Sequence, residues 1–254
     1  MRLHRALDGP ADAPAVVLGP SLGTTLAMWE PQVGPLAERY RVVRYDRRGH
    51  GSSPVAPGPA TIDDLGADLL ELLDDLGLET VAFCGLSLGG LEGMWLATSA
   101  PARLDRLVLA CSAPSFPAGQ AYLERAATVR SEGFGTVTED ALARWFTPAF
   151  HHSHPEVVEQ FRAMLSATDR EGYAVGCEVV AATDLTGALG GISASTLVLT
   201  GAEDPVVTPE TGERLAAAIP GARHHAIPGA AHIANVERAD AFTAALLGHL
   251  KGEQ

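Results

Sequence analysis

The sequence predicts an α/β protein, a mostly parallel sheet with helices on both faces and a helical cap inserted across one end. Three observations predict it. Short β-branched runs alternate with helical periodicity, most runs end near Gly or Asp, and the alternation breaks once, between residues 115 and 185. The runs are AVVL at 15 to 18, RVVRY at 41 to 45, TVAFC at 80 to 84, LDRLVLAC at 104 to 111, STLVLT at 195 to 200 and ARHHAI at 222 to 227. Strands that alternate with helices pair in parallel, because the crossover lays a helix on each face.

The helices follow from spacing. After Thr61, the residues Ile62, Leu65, Leu69, Leu72, Leu73 and Leu76 recur at three- and four-residue steps, while Asp63, Asp64, Asp68, Glu71, Asp74 and Asp75 are expected on a solvated face. Thr61 and Asp64 have capping-box spacing and Gly77 can end the helix. A second helix is read over 88 to 101, stopped by Pro101, and a last one over ADAFTAALLGHL. The stretch from 115 to 185 carries Trp145, Phe146, Phe150, Phe161 and Tyr173 but no strand pattern. It is expected to cap the mouth of the sheet, where ligands bind beyond the strands' carboxyl ends. The expected division is therefore a core of 1–114 and 186–254 and a cap of 115–185.

Composition narrows the function. The 254 residues are 46% hydrophobic and 19% charged, enough for one large core. Eighteen basic against 31 acidic residues leave a net charge of -13, which repels nucleic acid and anionic membrane. Cys84, Cys111 and Cys177 are odd in number and sit among apolar residues, so buried thiols are expected rather than a disulfide framework. No apolar run approaches the roughly 18 residues that span a bilayer, and the first residues lack a signal-peptide core, so a soluble cytoplasmic protein is expected.

The spacing G-x-S-x-G occurs twice, around Ser21 and around Ser87. A strained strand-to-helix turn bearing an exposed hydroxyl needs a strand before the serine and a helix directly after it. Ser87 follows TVAFC and opens a helical run. Ser21 follows a strand too, but Pro20 fixes the backbone before it and Pro31 is expected to prevent a helix from starting. Ser87 is thus the expected nucleophile.

A serine hydroxyl needs a base and an orienting acid. His232, in PGAAHIANVE, lies in a loop after the last strand run and is the expected base. His50 is on a loop after a strand and is a rival, although it precedes the serine. His4, His224, His225 and His249 lie in less suitable places. His151, His152 and His154 are read as a polar loop and not as a metal site; no metal and no cofactor are expected. In LVLTGAEDPVVTP, Asp204 is the expected acid, with Glu203 as the alternative. Attack at an acyl carbon also requires backbone N–H donors for the oxyanion. The residue after the nucleophile, Leu88, supplies one, and Leu22 in the GPSLGT loop is expected to supply the other.

With these residues placed, the chain resembles the α/β-hydrolase superfamily through RYDRRGHGSS, FCGLSLGG, LVLTGAEDPVVTP and GAAHIANVE. Within it, RWFTPAF at 144 to 150 and GYAVGCEVVAATDL at 172 to 185 make it similar to the 3-oxoadipate enol-lactonases of the β-ketoadipate pathway of aromatic catabolism. Two positions depart from the pattern: Pro20-Ser21 stands where His-Gly is frequent, and Leu88 where those enzymes often carry Met. Some relatives are fused to a carboxymuconolactone decarboxylase; with the sequence ending at Gln254, that activity is not expected.

The resemblance implies an enzyme whose partner is a small lactone or ester, opened through an acyl-enzyme on Ser87. A carboxylate on that substrate needs a placed arginine in so acidic a protein, and Arg130 and Arg144 are the expected candidates, with Trp145 lining the pocket. Other esterases, perhydrolase-like and C–C hydrolases of this fold, and a slow-turnover ligand receptor are the alternatives.

Overall fold

The computed structural model describes residues 1–56, 58–116 and 118–252. Among them seven strands form one sheet: β1 (Arg5–Asp8), β2 (Ala15–Gly19), β3 (Arg41–Tyr45), β4 (Val81–Leu86), β5 (Leu104–Ala110), β6 (Ser195–Gly201) and β7 (Arg223–Ile227). Their order is β1-β3-β2-β4-β5-β6-β7, and β1 alone runs antiparallel. The helices are α1 (Glu30–Ala37), α2 (Ile62–Asp75), α3 (Leu88–Ser99), α4 (Gly119–Glu132), α5 (Gly135–Trp145), α6 (Pro148–Ser153), α7 (Pro155–Ser166), α8 (Arg170–Ala182), α9 (Pro209–Ala218), α10 (Ala234–Glu237) and α11 (Ala239–Lys251). Every residue of β2 and β4 is buried, as strands covered on both faces require.

The chain passes from β2 outward to β3 and then returns across β2 to β4. The direction of winding therefore reverses between β2 and β4, and the crevice at their carboxyl ends is where such sheets bind ligands. Both G-x-S-x-G loops emerge there.

Close packing at this point depends on glycine. A Cβ on Gly85 would stand 2.0 Å from the carbonyl oxygen of Gly89, and one on Gly89 would stand 2.2 Å from that of Gly19. The start of α3 thus lies directly against the ends of β4 and β2.

Several local expectations change in the structure. Pro31 does not prevent a helix: a 3-10 turn at Leu26–Trp29 leads into α1, with Pro31 in the first turn, where its missing N–H costs nothing. The helix still begins well after Ser21, so that serine has no strand-turn-helix setting. Asp68 is not solvated but buried, receiving Arg48 at 2.6 Å and the terminal amine of Met1 at 2.8 Å. The capping box of α2 forms: the Thr61 amide donates to Asp64 at 2.8 Å and the Asp64 amide donates to the Thr61 hydroxyl at 3.3 Å. All three cysteines are free and buried. Among the described residues no helix is long and apolar enough to cross a membrane.

Helices α4 to α8 lie between β5 and β6, and this insert leaves and rejoins the core at one neck. There Ser115 and Asp184 form an antiparallel bridge and the Leu185 amide donates to the Pro114 carbonyl at 2.9 Å. Phe146 packs against Phe150 and Phe161, with ring centroids 5.0 and 5.1 Å apart, giving the insert its own aromatic cluster.

Because a methyl on Gly85 has only backbone to push against, Gly85→Ala is expected to cost at least about 3 kcal/mol. Gly187→Ala, where nothing lies within 4 Å, should stay within about 0.5 kcal/mol. Urea unfolding of both variants checks the contrast.

Candidate active site

Ser87 occupies the turn between β4 and α3 with φ 57° and ψ −114°, a backbone conformation that costs a non-glycine residue about 1 to 3 kcal/mol. The surroundings hold it there: its amide donates to the Ala110 carbonyl at 2.9 Å, and its own carbonyl accepts from Ser112 Oγ at 2.7 Å. A sharp turn of this kind points a side chain away from both strand and helix, into the crevice.

Asp204 lies beyond the end of β6 and His232 in the loop between β7 and α10. Nδ1 of His232 and Oδ2 of Asp204 are 2.9 Å apart, and both residues are buried. The other carboxylate oxygen accepts from the amides of Val206 at 2.8 Å and Val207 at 3.1 Å, so the acid is anchored before it meets the imidazole. A hydrogen on Nδ1 leaves Nε2 as the basic nitrogen. Glu203, the alternative acid, is exposed. Ser87 and His232 line one cavity, together with Leu22, Tyr122, Arg125, Arg144, Trp145, Tyr173 and Val206 among others. A groove of about 590 Å³ between α1, α7 and α11 reaches none of these residues.

The loop after β2 is held amide by amide. The Ser21 amide donates to the Met28 thioether at 3.2 Å and the Gly23 amide to Nε2 of His50 at 3.1 Å. Among the described residues the Leu22 amide between them has no acceptor. Leu88 is the first residue of α3, so its N–H has no partner within the helix. Arg47 completes the support, donating to the Pro20 carbonyl at 2.7 Å while its guanidinium grips Glu92 through two contacts of 2.8 Å. Tyr45 donates to the same carboxylate at 2.5 Å.

His50, the rival base, is therefore engaged at both nitrogens: Nε2 accepts from Gly23 and Nδ1 faces the Arg48 carbonyl at 3.1 Å. Burial, aided by Arg47, lowers its pKa to about 4, so the ring is neutral. The three clustered histidines have separate partners. His151 faces the Leu142 carbonyl at 3.0 Å, His154 faces Ser153 and stacks on Phe150, and His152 is exposed.

Of the two arginines expected to meet a carboxylate, Arg144 stands in the cavity wall and Arg130 does not. Arg130 projects from α4 toward α8 and is taken by Glu171, at 2.8 and 2.7 Å, and by Glu178. Its place is filled by Arg125, one and a half turns earlier on α4, which the sequence reading passed over. Its guanidinium lies 4.8 Å from the centroid of the Tyr122 ring. The only available signal was the Tyr-x-x-Arg spacing. Neither Arg125 nor Arg144 forms an ion pair among the described residues, and burial followed by repulsion from Arg125 lowers the pKa of Arg144. Trp145 is buried in the same wall.

Glu237, quoted within GAAHIANVE but given no role by sequence, joins the His232 loop to the insert. One oxygen accepts from the amide of Thr147 at 3.0 Å and its hydroxyl at 2.5 Å, the other from the Ala231 amide at 2.7 Å. The Ile233 amide adds a bond to the Trp145 carbonyl at 3.0 Å.

A family model described as alpha/beta hydrolase fold matches residues 14–239. The chain belongs to that family. It is a hydrolase, and it is 41% identical over 249 residues to 3-oxoadipate enol-lactonase 2 of Acinetobacter baylyi, covering 98% of this chain and 93% of that one. It superposes with a TM-score of 0.96 on the crystal structure of the enol-lactonase from Burkholderia xenovorans, at 42% identity, covering 98% of this chain and 96% of the other. A thermophilic esterase from Thermogutta terrifontis, solved with malate bound, gives a TM-score of 0.94 at 32% identity, covering 99% and 93%.

The buried His50 predicts a pH-dependent stability. Its folded pKa lies below the unfolded value of 6.5, so the unfolded chain binds the proton more tightly. Stability from this residue is complete above about pH 6.5 and is lost as pH falls toward 4. The loss between pH 7 and 5 should be about 2 kcal/mol. Urea unfolding at the two pH values should show a slope smaller by that amount in His50→Gln than in the parent; equal slopes would contradict the assignment.

Proposed function

We propose that the protein is a carboxylic ester hydrolase that opens a small enol-lactone bearing a carboxylate, with 3-oxoadipate enol-lactone as the substrate and 3-oxoadipate as the product. The observation that carries this reading is the pair of half-buried guanidiniums, Arg125 and Arg144, in the cavity of Ser87 and His232. Two cations without carboxylate partners, placed next to each other in a protein of net charge -13, are suited to an anionic ligand. The enol-lactonase relatives and the malate held by the Thermogutta esterase point the same way.

In this mechanism Ser87 Oγ adds to the lactone carbonyl while its proton passes to Nε2 of His232, and Asp204 stabilises the imidazolium. The amides of Leu22 and Leu88 receive the oxyanion. Collapse breaks the ring C–O bond, the departing enol oxygen takes the proton back from His232, and the enol tautomerises to a ketone. That last step makes ring opening effectively irreversible. A water, giving its proton to His232, then attacks the acyl carbon and returns Ser87 with release of the acid. Arg125 and Arg144 hold the substrate's other carboxylate throughout, with Trp145 against the ring.

Turnover of the purified protein on the enol-lactone and on a neutral aryl acetate tests the reading. Ser87→Ala should lose at least about three decades of kcat on both substrates, and Ser21→Ala far less. Arg125→Met and Arg144→Met should raise KM for the enol-lactone by about tenfold or more while leaving the neutral ester nearly unchanged. Equal effects on both esters would remove the carboxylate from the account.

A further inference from the structure

The cavity around Ser87 and His232 has only about 30 Å³ accessible to water, room for little more than one molecule. Small-molecule sites commonly offer about 300 to 1,000 Å³, so a substrate larger than the smallest esters needs space beyond this cavity. Beside it, between the neck of the insert and α9, lies a recess of about 390 Å³. Its floor is apolar, formed by Phe116, Leu189 and Leu215, and its mouth is framed by exposed Ala218 and Arg214, whose guanidinium donates to the Thr211 hydroxyl at 2.9 Å. Among the described residues Val206 lines both spaces.

Val206 is poorly placed to move as backbone. Its amide is bound to Asp204 Oδ1 at 2.8 Å, the carboxylate whose other oxygen faces His232. What can vary is its side chain, a β-branched group with few rotamers, standing between the two spaces.

We propose that the recess is the second chamber of the active site, that it receives the aliphatic part of the substrate distal to the scissile carbonyl, and that Val206 sets how long that part can be. The proposal rests on Ser87 being the nucleophile. The apolar floor suits methylene groups, while the carboxylate-binding arginines Arg125 and Arg144 line the first cavity.

The test compares kcat/KM on p-nitrophenyl acetate and p-nitrophenyl hexanoate. Val206→Ala should raise the hexanoate-to-acetate ratio by about tenfold or more, and Val206→Leu should lower it. Ala218→Trp fills the recess from an exposed position on α9, outside the catalytic residues, so it should lower the ratio while acetate turnover and the thermal midpoint hold. Combined with Val206→Ala, it should cancel that variant's gain. An unchanged ratio in Val206→Ala and Ala218→Trp would overturn the proposal, as would a gain that survives the filled recess. Absence of acetate turnover in the parent protein is a separate result, which sinks the hydrolase mechanism and this proposal with it.

Discussion

The contact between the start of α3 and the carboxyl ends of β4 and β2 is the constraint on which the rest depends. A single Cβ on Gly85 or Gly89 would lie about 2 Å from a carbonyl oxygen, and one on Gly19 would lie 2.7 Å from the Phe83 ring. The chain can therefore turn from strand to helix in one residue, and that residue, Ser87, is left with a positive φ and a side chain facing the crevice. A looser junction would relax the turn and lower the serine into the packing between helix and sheet. Strain at one residue is maintained here by the close fit of three glycines, none of which takes part in chemistry.

Around this junction the polar side chains tie loops together. Arg47 and Glu92 form a fully buried pair, an arrangement whose desolvation roughly offsets its attraction, so its value lies less in net stability than in geometry. Its spare donors fix the Pro20 carbonyl, and His50 fixes the Gly23 amide on the other side of Leu22. Glu237 plays the corresponding part for the His232 loop, holding it to the insert that carries Arg144 and Trp145. Three separate segments, after β2, after β4 and after β7, are thereby positioned with respect to one another without ordering any of them through the hydrophobic core alone.

Much of this was legible from residue patterns because the physics is local. Strands buried on both faces are largely apolar, which made β2, β4 and the buried stretches of β3, β5 and β6 visible as short runs; β7, reading Arg-His-His-Ala-Ile with exposed positions, was visible only by its place in the alternation, and β1, a four-residue edge strand reading Arg-Ala-Leu-Asp, has no such signature and owes its pairing to β3. Ser87 was distinguishable from Ser21 because a strand and a helix flank only the former. What could not be read was contact between distant segments. Asp68 looks like any acid on an amphipathic helix until Arg48 and the terminal amine reach it, and only the Tyr-x-x-Arg spacing distinguishes Arg125, which faces the cavity, from Arg130, bound by Glu171 and Glu178. Pro31 was misleading for a simpler reason: a proline that would break a helix interior is well accommodated in its first turn.

The central claim is that the strained serine, with His232 as its base, is the one activated hydroxyl of the protein. Labelling with a fluorophosphonate measures this directly, since the reagent bonds its phosphorus to an activated serine oxygen and loses fluoride. Intact mass and peptide mapping should find one equivalent, on the peptide that contains Ser87, with labelling slowed by about a thousandfold or more in His232→Ala. Label on Ser21, or labelling of Ser87 at the same rate without the imidazole, would contradict the account.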